Sequence, residues 1–186
     1  RKVTLDGVVT TIAGNGAAGS TDGTGTNASF NNPLYLAIDK SGVLYATDSR
    51  NYRIRKITTA GVVSTFAGSS QGQNDGTGTD AMFNSLGGLD LDDEGNVYVV
   101  EQFDHRIRKI SPSGQVTTLA SVQTPIGLEV DNSGTIYVAS YNANRIEKVT
   151  SAGTVTTLAG QGPAQSLDGT GTSARFNRPL DVSVDN

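Results

Sequence analysis

The side chains that could carry out acid–base or metal chemistry are few and scattered in this sequence. His105 is the only histidine among 186 residues, and cysteine is absent. One histidine provides neither the three protein ligands of a catalytic zinc site nor a recognisable Ser-His-Asp set. No spacing typical of paired catalytic carboxylates joins the four glutamates, Glu94, Glu101, Glu129 and Glu147. We therefore expect no catalytic residues, no bound metal and no cofactor in this chain.

Most of the basic residues recur at one position of a repeated pattern. Ten of the 14 lysines and arginines fall there: Arg1, Lys2, Arg53, Arg55, Lys56, Arg106, Arg108, Lys109, Arg145 and Lys148. A nucleic-acid site concentrates positive charge in a patch, whereas a repeated position spreads it around the molecule. We favour a structural role, with pairing between repeated units and with Asp48, Glu101 or backbone carbonyls as partners. With a net charge of −4, we expect no nucleic-acid partner.

Three long segments between the repeated units share the motif DGTGTxAxFN, at 22–31, 75–84 and 168–177. One hypothesis is that these loops line the opening of a ligand-binding site or hold a cation. A calcium loop needs several carboxylates at alternate positions, and each copy has only one or two. We favour a loop that packs on itself, in which aspartate caps a turn, the glycines take positive φ and phenylalanine acts as a plug. The residues of this structural loop motif are Asp22, Phe30, Asp75, Phe83, Asp168 and Phe176. The unit that begins at 124 lacks the motif, which predicts a notch there.

Positions that vary between the repeats are the candidates for binding, because the scaffold does not require them. One such position lies on the first strand of each unit, and the others lie in the turn after the second strand. The candidate binding residues are Tyr35, Arg50, Tyr52, Phe103, Tyr141 and Asn142. Aromatic side chains on exposed turns suit a protein or glycan partner, although single exposed aromatic residues are common.

An internal repeat positions all of these residues. Complete copies occupy 30–68, 83–121 and 124–160, while 176–186 opens a fourth copy and 1–14 matches the end of one. In each complete copy an Asp precedes a Tyr by six residues, the Tyr precedes an Arg by eight, and the Arg precedes a Gly by eight. In the first copy these residues are Asp39, Tyr45, Arg53 and Gly61.

Each copy contains four apolar stretches of four or five residues, rich in Val, Ile, Tyr and Thr. In the first copy they are 34–38, 43–46, 53–57 and 62–66. They are too short for helices, and turns that begin with Asp and end with Gly separate the first two. We therefore predict four antiparallel strands per unit and, from radial stacking of the units, an all-β fold of the β-propeller class.

The segments GLEVDNSGTIYVAS, NRIEKVTSAGTVTTLAG and DHRIRKISPSGQVTTLA resemble NHL repeats. The resemblance covers nearly the whole chain. It implies a propeller, usually with six blades, whose units run from the innermost to the outermost strand. Functions in this family are mixed: most members are binding platforms, and some relatives are lyases or other enzymes that use histidine for acid–base work or zinc. The resemblance therefore predicts the fold and leaves the function open.

The repeat register divides the chain into five parts. Residues 1–14 are the outer strands of a partial blade, and 15–68, 69–121 and 122–160 are each a loop followed by a blade. Residues 161–186 are a loop and the inner strand of a next blade. Fourteen positions, the equivalents of 41–54, have no counterpart in the last unit. Three arrangements remain open: a slice of a longer propeller, which we favour; a four-bladed ring that lacks one strand; and two chains that share hybrid blades.

An acidic chain with a pI of about 4.9, no cysteine and 23 glycines favours a secreted or surface-exposed bacterial protein, although a cytoplasmic one is not excluded. No apolar run is long enough to insert into a membrane. We predict a non-enzymatic scaffold that binds a protein or glycan partner. The alternatives are a lyase or lactonase whose metal site lies in missing blades, and a structural component that self-associates through open blade edges.

Overall fold

A computed structural model describes residues 1–185 as a succession of short strands. In chain order the strands are β1 (Lys2–Val3), β2 (Val9–Thr10), β3 (Gly23–Thr24), β4 (Pro33–Ile38), β5 (Leu44–Asp48), β6 (Arg53–Ile57), β7 (Val62–Ala67), β8 (Gly76–Thr77), β9 (Leu86–Leu91), β10 (Val97–Glu101), β11 (Arg106–Ile110), β12 (Gln115–Ser121), β13 (Pro125–Val130), β14 (Ile136–Ser140), β15 (Arg145–Val149) and β16 (Val155–Ala159). Four single-turn 3₁₀ helices lie at Gly25–Asn27, Ser49–Asn51, Gly78–Asp80 and Gly171–Ser173. None of the helices in residues 1–185 is long and apolar enough to cross a membrane.

The strands form three antiparallel blades, as the repeat predicts. Blade 1 consists of β4 to β7, blade 2 of β9 to β12, and blade 3 of β13 to β16, each in sequence order from its inner to its outer strand. Each strand bound predicted for the first copy lies within two residues of the observed one. Blades 1 and 2 also carry a fifth strand, since β3 pairs with β7 and β8 pairs with β12. Sequence reasoning did not predict these added strands.

The hydrophobic core lies between neighbouring blades. The cluster between blades 1 and 2 contains Tyr45, Ile54, Ala67, Ala81, Phe83, Leu86, Leu89, Val97, Val99, Ile110 and Val116. The cluster between blades 2 and 3 contains Tyr98, Val100, Ile107, Ala120, Val122, Leu128, Val130, Ile136, Val138 and Val149. The inner strands approach closely, because a Cβ built on Gly88 would lie 2.9 Å from the Gly127 Cα. Side chains larger than hydrogen therefore do not fit at this crossing without a shift.

Hydrogen bonds within the turns fix the ends of the strands. Asp131 Oδ1 accepts the backbone N–H of Ser133 at 2.8 Å and that of Thr135 at 3.0 Å. Asp39 receives the same bonds from Ser41 and Val43 in blade 1. These contacts are the Asp-led turns that the repeat predicts.

The two ends of the chain are less regular than the blades. Strands β1 and β2 pair only with each other. Residues 179–185 lie beside blade 3, with Asp181 against Gly127, but they form no strand. These residues form no strand in the structure, so the predicted inner strand of a next blade stays a prediction. Asn186, the last residue of the predicted fifth part, lies outside the described residues.

Candidate functional site

Blade 1 contains a fully buried arginine whose guanidinium is surrounded by acceptors. Arg55 Nη1 donates to Asp48 Oδ2 at 2.8 Å and to the Ser29 carbonyl at 3.0 Å. Arg55 Nη2 donates to Asp22 Oδ1 at 2.7 Å and to the Thr21 carbonyl at 3.1 Å. Asp48 is also fully buried, whereas Asp22 is half-exposed. Because a buried charge is costly unless it is paired and hydrogen-bonded, these four acceptors stabilise the buried guanidinium, whose Nε has no partner.

Blade 2 repeats the arginine cluster. Arg108 donates to Glu101 Oε2 at 2.8 Å, to Asp75 Oδ1 at 2.8 Å and to the carbonyls of Asn74 and Met82. In both blades a phenylalanine ring lies against the guanidinium, at 5.0 Å for Phe30 and 5.2 Å for Phe83. The expected partners Asp48 and Glu101 are thus confirmed. The predicted pairing between units is wrong for these arginines, since each pairs within its own blade and with the loop that precedes that blade.

The loops before blades 1 and 2 follow the outer edge of the blade. We call 15–32 the first connector and 69–85 the second connector. Asp22 joins the first connector to β7 by accepting the Thr65 N–H at 3.1 Å. The Gly25 N–H donates to the Gly61 carbonyl at 2.9 Å, and the Gly78 N–H donates to that of Gly114 in blade 2. These connectors therefore cover the blade edge, and in the blade 2 copy Phe83 is completely buried.

Blade 3 departs from this pattern at every position of the cluster. Its preceding segment, the short connector at 122–124, has no aspartate. Glu147 occupies the position of Arg55, and Ser140 occupies that of Asp48. Glu147 is 2% exposed; its Oε2 accepts the Ser140 hydroxyl at 2.6 Å and its Oε1 accepts Arg145 Nε at 2.7 Å. The last connector, 161–178, carries Asp168 and Phe176, but Asp168 is exposed and no arginine in residues 1–185 pairs with it.

Five of the predicted binding residues lie on one face, where the turns between the second and third strands meet the residues that precede each inner strand. Arg50 N–H donates to the Asn31 carbonyl, and Tyr141 N–H donates to that of Thr124. Arg50 and Tyr52 line a hollow of about 330 Å³. Phe103 is 71% exposed, although its N–H is fixed on Ser85 Oγ at 2.7 Å. The full set on this face, which we call the turn face, is Arg50, Tyr52, Phe103, Tyr141 and Asn142.

Tyr35 does not belong to the turn face. It lies on the inner strand β4 and lines an apolar groove of about 220 Å³ with Leu34 and Leu36. Burial, with a smaller contribution from the charge of Asp181, raises the pKa of Tyr35. The structure therefore separates Tyr35 from the other predicted binding residues.

Sequence reasoning missed a group of carboxylates on the inner strands. Asp90 accepts the Val130 N–H at 2.8 Å, which links blades 2 and 3. Burial raises the pKa of Asp90 despite this bond. Burial, and then the charges of Asp90 and Asp181, raise the pKa of Glu129. The sequence does contain a signal for these carboxylates, because one repeat position holds Ala37, Asp90 and Glu129. Among residues 1–185, no three His, Cys, Asp or Glu side chains are placed to hold a metal ion.

His105 takes part in a backbone contact. Its Nδ1 accepts the Thr124 N–H at 2.8 Å, and its carbonyl accepts the Val122 N–H. Its φ of +56° matches Tyr52 and Asn144 in the corresponding turns. These bonds hold the short connector against blade 2, as a structural role for this histidine requires.

No protein-family model matches the chain. Over 114 residues, 59% of the chain, it is 30% identical to "NHL repeat-containing protein 2" of Gallus gallus, and the match covers 16% of that protein. Similar solved structures include an auxiliary nutrient binding protein from Bacteroides ovatus, with a TM-score of 0.65 and 15% identity over 98% of this chain and 52% of the other. A catalytically inactive virginiamycin B lyase from Staphylococcus aureus with quinupristin has a TM-score of 0.59 and 16% identity. The match covers 84% of this chain and 46% of the other.

A third solved structure, the nidogen/laminin complex, gives a TM-score of 0.57 at 23% identity and covers 71% of this chain and 49% of the other. The chain thus spans about half the length of the solved structures and much less of the curated relative. At these identities the solved structures show a common propeller fold and nothing about activity.

Proposed function

Since the chain is built of NHL-like propeller blades, we propose that it is a non-enzymatic module that binds a partner protein through the turn face. The observation that carries this proposal is Phe103, which exposes 71% of its surface while its backbone is fixed on Ser85. An aromatic side chain on a fixed backbone loses less conformational entropy when a partner covers it than one on a mobile loop would. The nidogen/laminin complex shows that a similar fold occurs in a protein assembly.

The blades supply the rigidity that this mechanism needs. Ser49 Oγ donates to the Leu86 carbonyl across the boundary of blades 1 and 2. Near blade 3, Arg178 lies 5.6 Å from the Tyr141 ring and donates its N–H to Asn144 Oδ1. The turns are therefore held by their neighbours, which fixes where their side chains leave the backbone. An extracellular or cell-surface location is part of this proposal and is supported by the acidic, cysteine-free composition.

The test is photo-crosslinking from single positions in cells that make the full-length protein. A photo-reactive phenylalanine analogue replaces Phe103 or, as a control, Lys40, which is exposed in the turn at the opposite end of β4. We expect a defined protein to be captured from 103 and not from 40. The purified partner should bind F103A at least about tenfold more weakly than the unmodified chain and bind K40A equally well. Equal capture from both positions, or unchanged affinity of F103A, would contradict the proposal.

A glycan partner and an enzymatic role remain predictions from the sequence. Binding on a glycan array that F103A abolishes would support the glycan. A lyase or lactonase would need metal ligands outside residues 1–185, so stoichiometric zinc or calcium in the full-length protein would favour that alternative.

A further inference from the structure

The outer edge of blade 3 differs from the outer edges of blades 1 and 2. In those blades β3 and β8 cover the outermost strand. Within residues 1–185, no segment pairs with the outer edge of β16. An uncovered strand edge presents backbone N–H and C=O groups that can accept another strand.

Blades 1 and 2 show what such an added strand looks like. In blade 1, Gly23 and Thr24 pair with Val63 and Val62, and Val63 is only 2% exposed. The repeat register equates Val63 with Val155, which is partly exposed. The same register equates the acceptor Gly61 with Gly153. The edge of β16 therefore offers the same backbone register to a two-residue strand of small side chains.

One position beside this edge carries the opposite charge in blade 3, because Glu147, paired with Arg145, stands where the other blades have Arg55 and Arg108. Where Asp22 or Asp75 would meet a buried arginine, a segment on blade 3 would meet Glu147. An aspartate there would be repelled, which disfavours the DGTGT connectors of this chain or of a second copy. A lysine or arginine would instead be attracted and is long enough to compensate for the shorter glutamate. Glu101 shows that one buried carboxylate in this fold binds two cations, because its Oε2 contacts Arg106 at 3.1 Å and Arg108 at 2.8 Å.

We propose that the outer edge of β16 binds an extended segment of a partner protein that carries lysine or arginine where the connectors carry aspartate. The segment pairs its backbone with Val155 and continues with small residues, as β3 does on β7. Its cation shares the Glu147 carboxylate with Arg145, whose side chain is 33% exposed. This surface is separate from the turn face, so its failure would leave the proposed function untouched.

The test uses two short peptides and the isotope-labelled 186-residue chain. One peptide is residues 166–172, SLDGTGT, and the other is its D168K variant. We expect amide resonances of Val155, Thr156 and Thr157 to shift on addition of the D168K peptide at millimolar concentration. The D168K peptide should bind at least about tenfold more tightly than the unmodified peptide, as a change from like to opposite charge predicts.

Two chain variants and a matched control sharpen the test. E147Q should abolish the preference for lysine without inserting a larger side chain, and the double variant S140D/E147R should reverse it in favour of aspartate. E94Q removes the same charge from an exposed turn elsewhere and should leave the preference unchanged. The proposal is overturned by equal affinity of the two peptides, by an absence of shifts at millimolar peptide, by shifts outside β16, or by an E94Q effect as large as that of E147Q.

Discussion

Blades 1 and 2 differ from blade 3 in a set of residues that change together. Where a long connector is present, a buried arginine binds one acidic residue of its own blade and one aspartate of the connector. Where the connector is short, the arginine, the internal acid and the connector aspartate are all absent. The arginine cluster and the long connector are therefore one structural unit, in which the buried charge holds the connector on the blade edge.

Electrostatics explains why partial versions of this unit do not occur among the complete blades. A buried guanidinium without its acceptors is costly to desolvate, and so is a buried carboxylate without its cation. In blade 3, Glu147 is satisfied locally by Ser140 and Arg145 and needs no connector. Within residues 1–185 the outer edge of β16 is left open, which is the basis of the proposed edge-strand surface.

The largest expected effect comes from removing the cluster arginine in blade 2. Arg108→Met keeps the aliphatic volume but leaves Glu101, completely buried, with only Arg106 as a cation. We expect the free energy of unfolding to fall by about 3–5 kcal/mol, measured by chemical denaturation. Arg50→Met in blade 1, at an exposed arginine, is the control and should cost less than about 0.5 kcal/mol. Similar losses in both variants would show that the buried charge of Arg108 is not what stabilises blade 2.

Removing the connector aspartate should lower the free energy of unfolding less than removing the arginine does. Asp75→Ala removes the contacts with Arg108 Nη2 and with Thr118. We expect a loss of about 1–2 kcal/mol, because Asp75 is half-exposed and Glu101 still neutralises the arginine. Amide hydrogen exchange should accelerate in β8 before the rest of blade 2. Asp168→Ala, in the same motif but with no arginine partner among residues 1–185, should change stability by less than about 0.5 kcal/mol.

The sequence predicts the blades well because strand pattern and turn chemistry are local. Asp39 and Asp131 bind the N–H groups two and four residues later, so spacing alone reveals their turns. The path of the connectors depends instead on the contact of Asp22 with Arg55, 33 residues away. Such a pair is visible in the sequence only through the joint loss of both residues in blade 3. The repeat also assigns five of the candidate residues to one turn, whereas the bonds that fix these turns on the preceding segments, such as that of Arg50 with Asn31, emerge only from the three-dimensional packing.

Inner-strand and turn carboxylates should respond to pH in opposite ways. The raised pKa of Glu129 means that folding favours its protonated form, so its contribution to stability is lost as pH rises through the folded-state pKa. Burial alone would raise the pKa of Asp131, but hydrogen bonds from Ser133, Thr135 and Tyr137 outweigh it and lower the pKa. The contribution of Asp131 to stability is therefore lost as pH falls through that lower pKa.

Two variants measure these opposite slopes. Glu129→Gln should stabilise the chain by up to about 1 kcal/mol near pH 7, and the gain should vanish near about pH 3. Asp131→Asn should destabilise it near neutral pH, and that loss should shrink in acid. Denaturation curves across this range provide the measurement. Parallel slopes for the two variants would show that inner-strand and turn carboxylates do not respond to pH in opposite ways.

The smallest expected effect concerns the backbone of the short connector. Thr124 has a φ of +48°, while Asn32 occupies the same position before blade 1 with a φ of +60°. Left-handed backbone is unfavourable for a β-branched residue and more readily adopted by asparagine. Thr124→Asn should therefore raise the free energy of unfolding by about 0.5 kcal/mol, and the reciprocal Asn32→Thr should lower it. A loss of stability in Thr124→Asn would mean that the buried threonine side chain contributes more than its backbone strain costs, so that packing rather than backbone freedom defines the short connector.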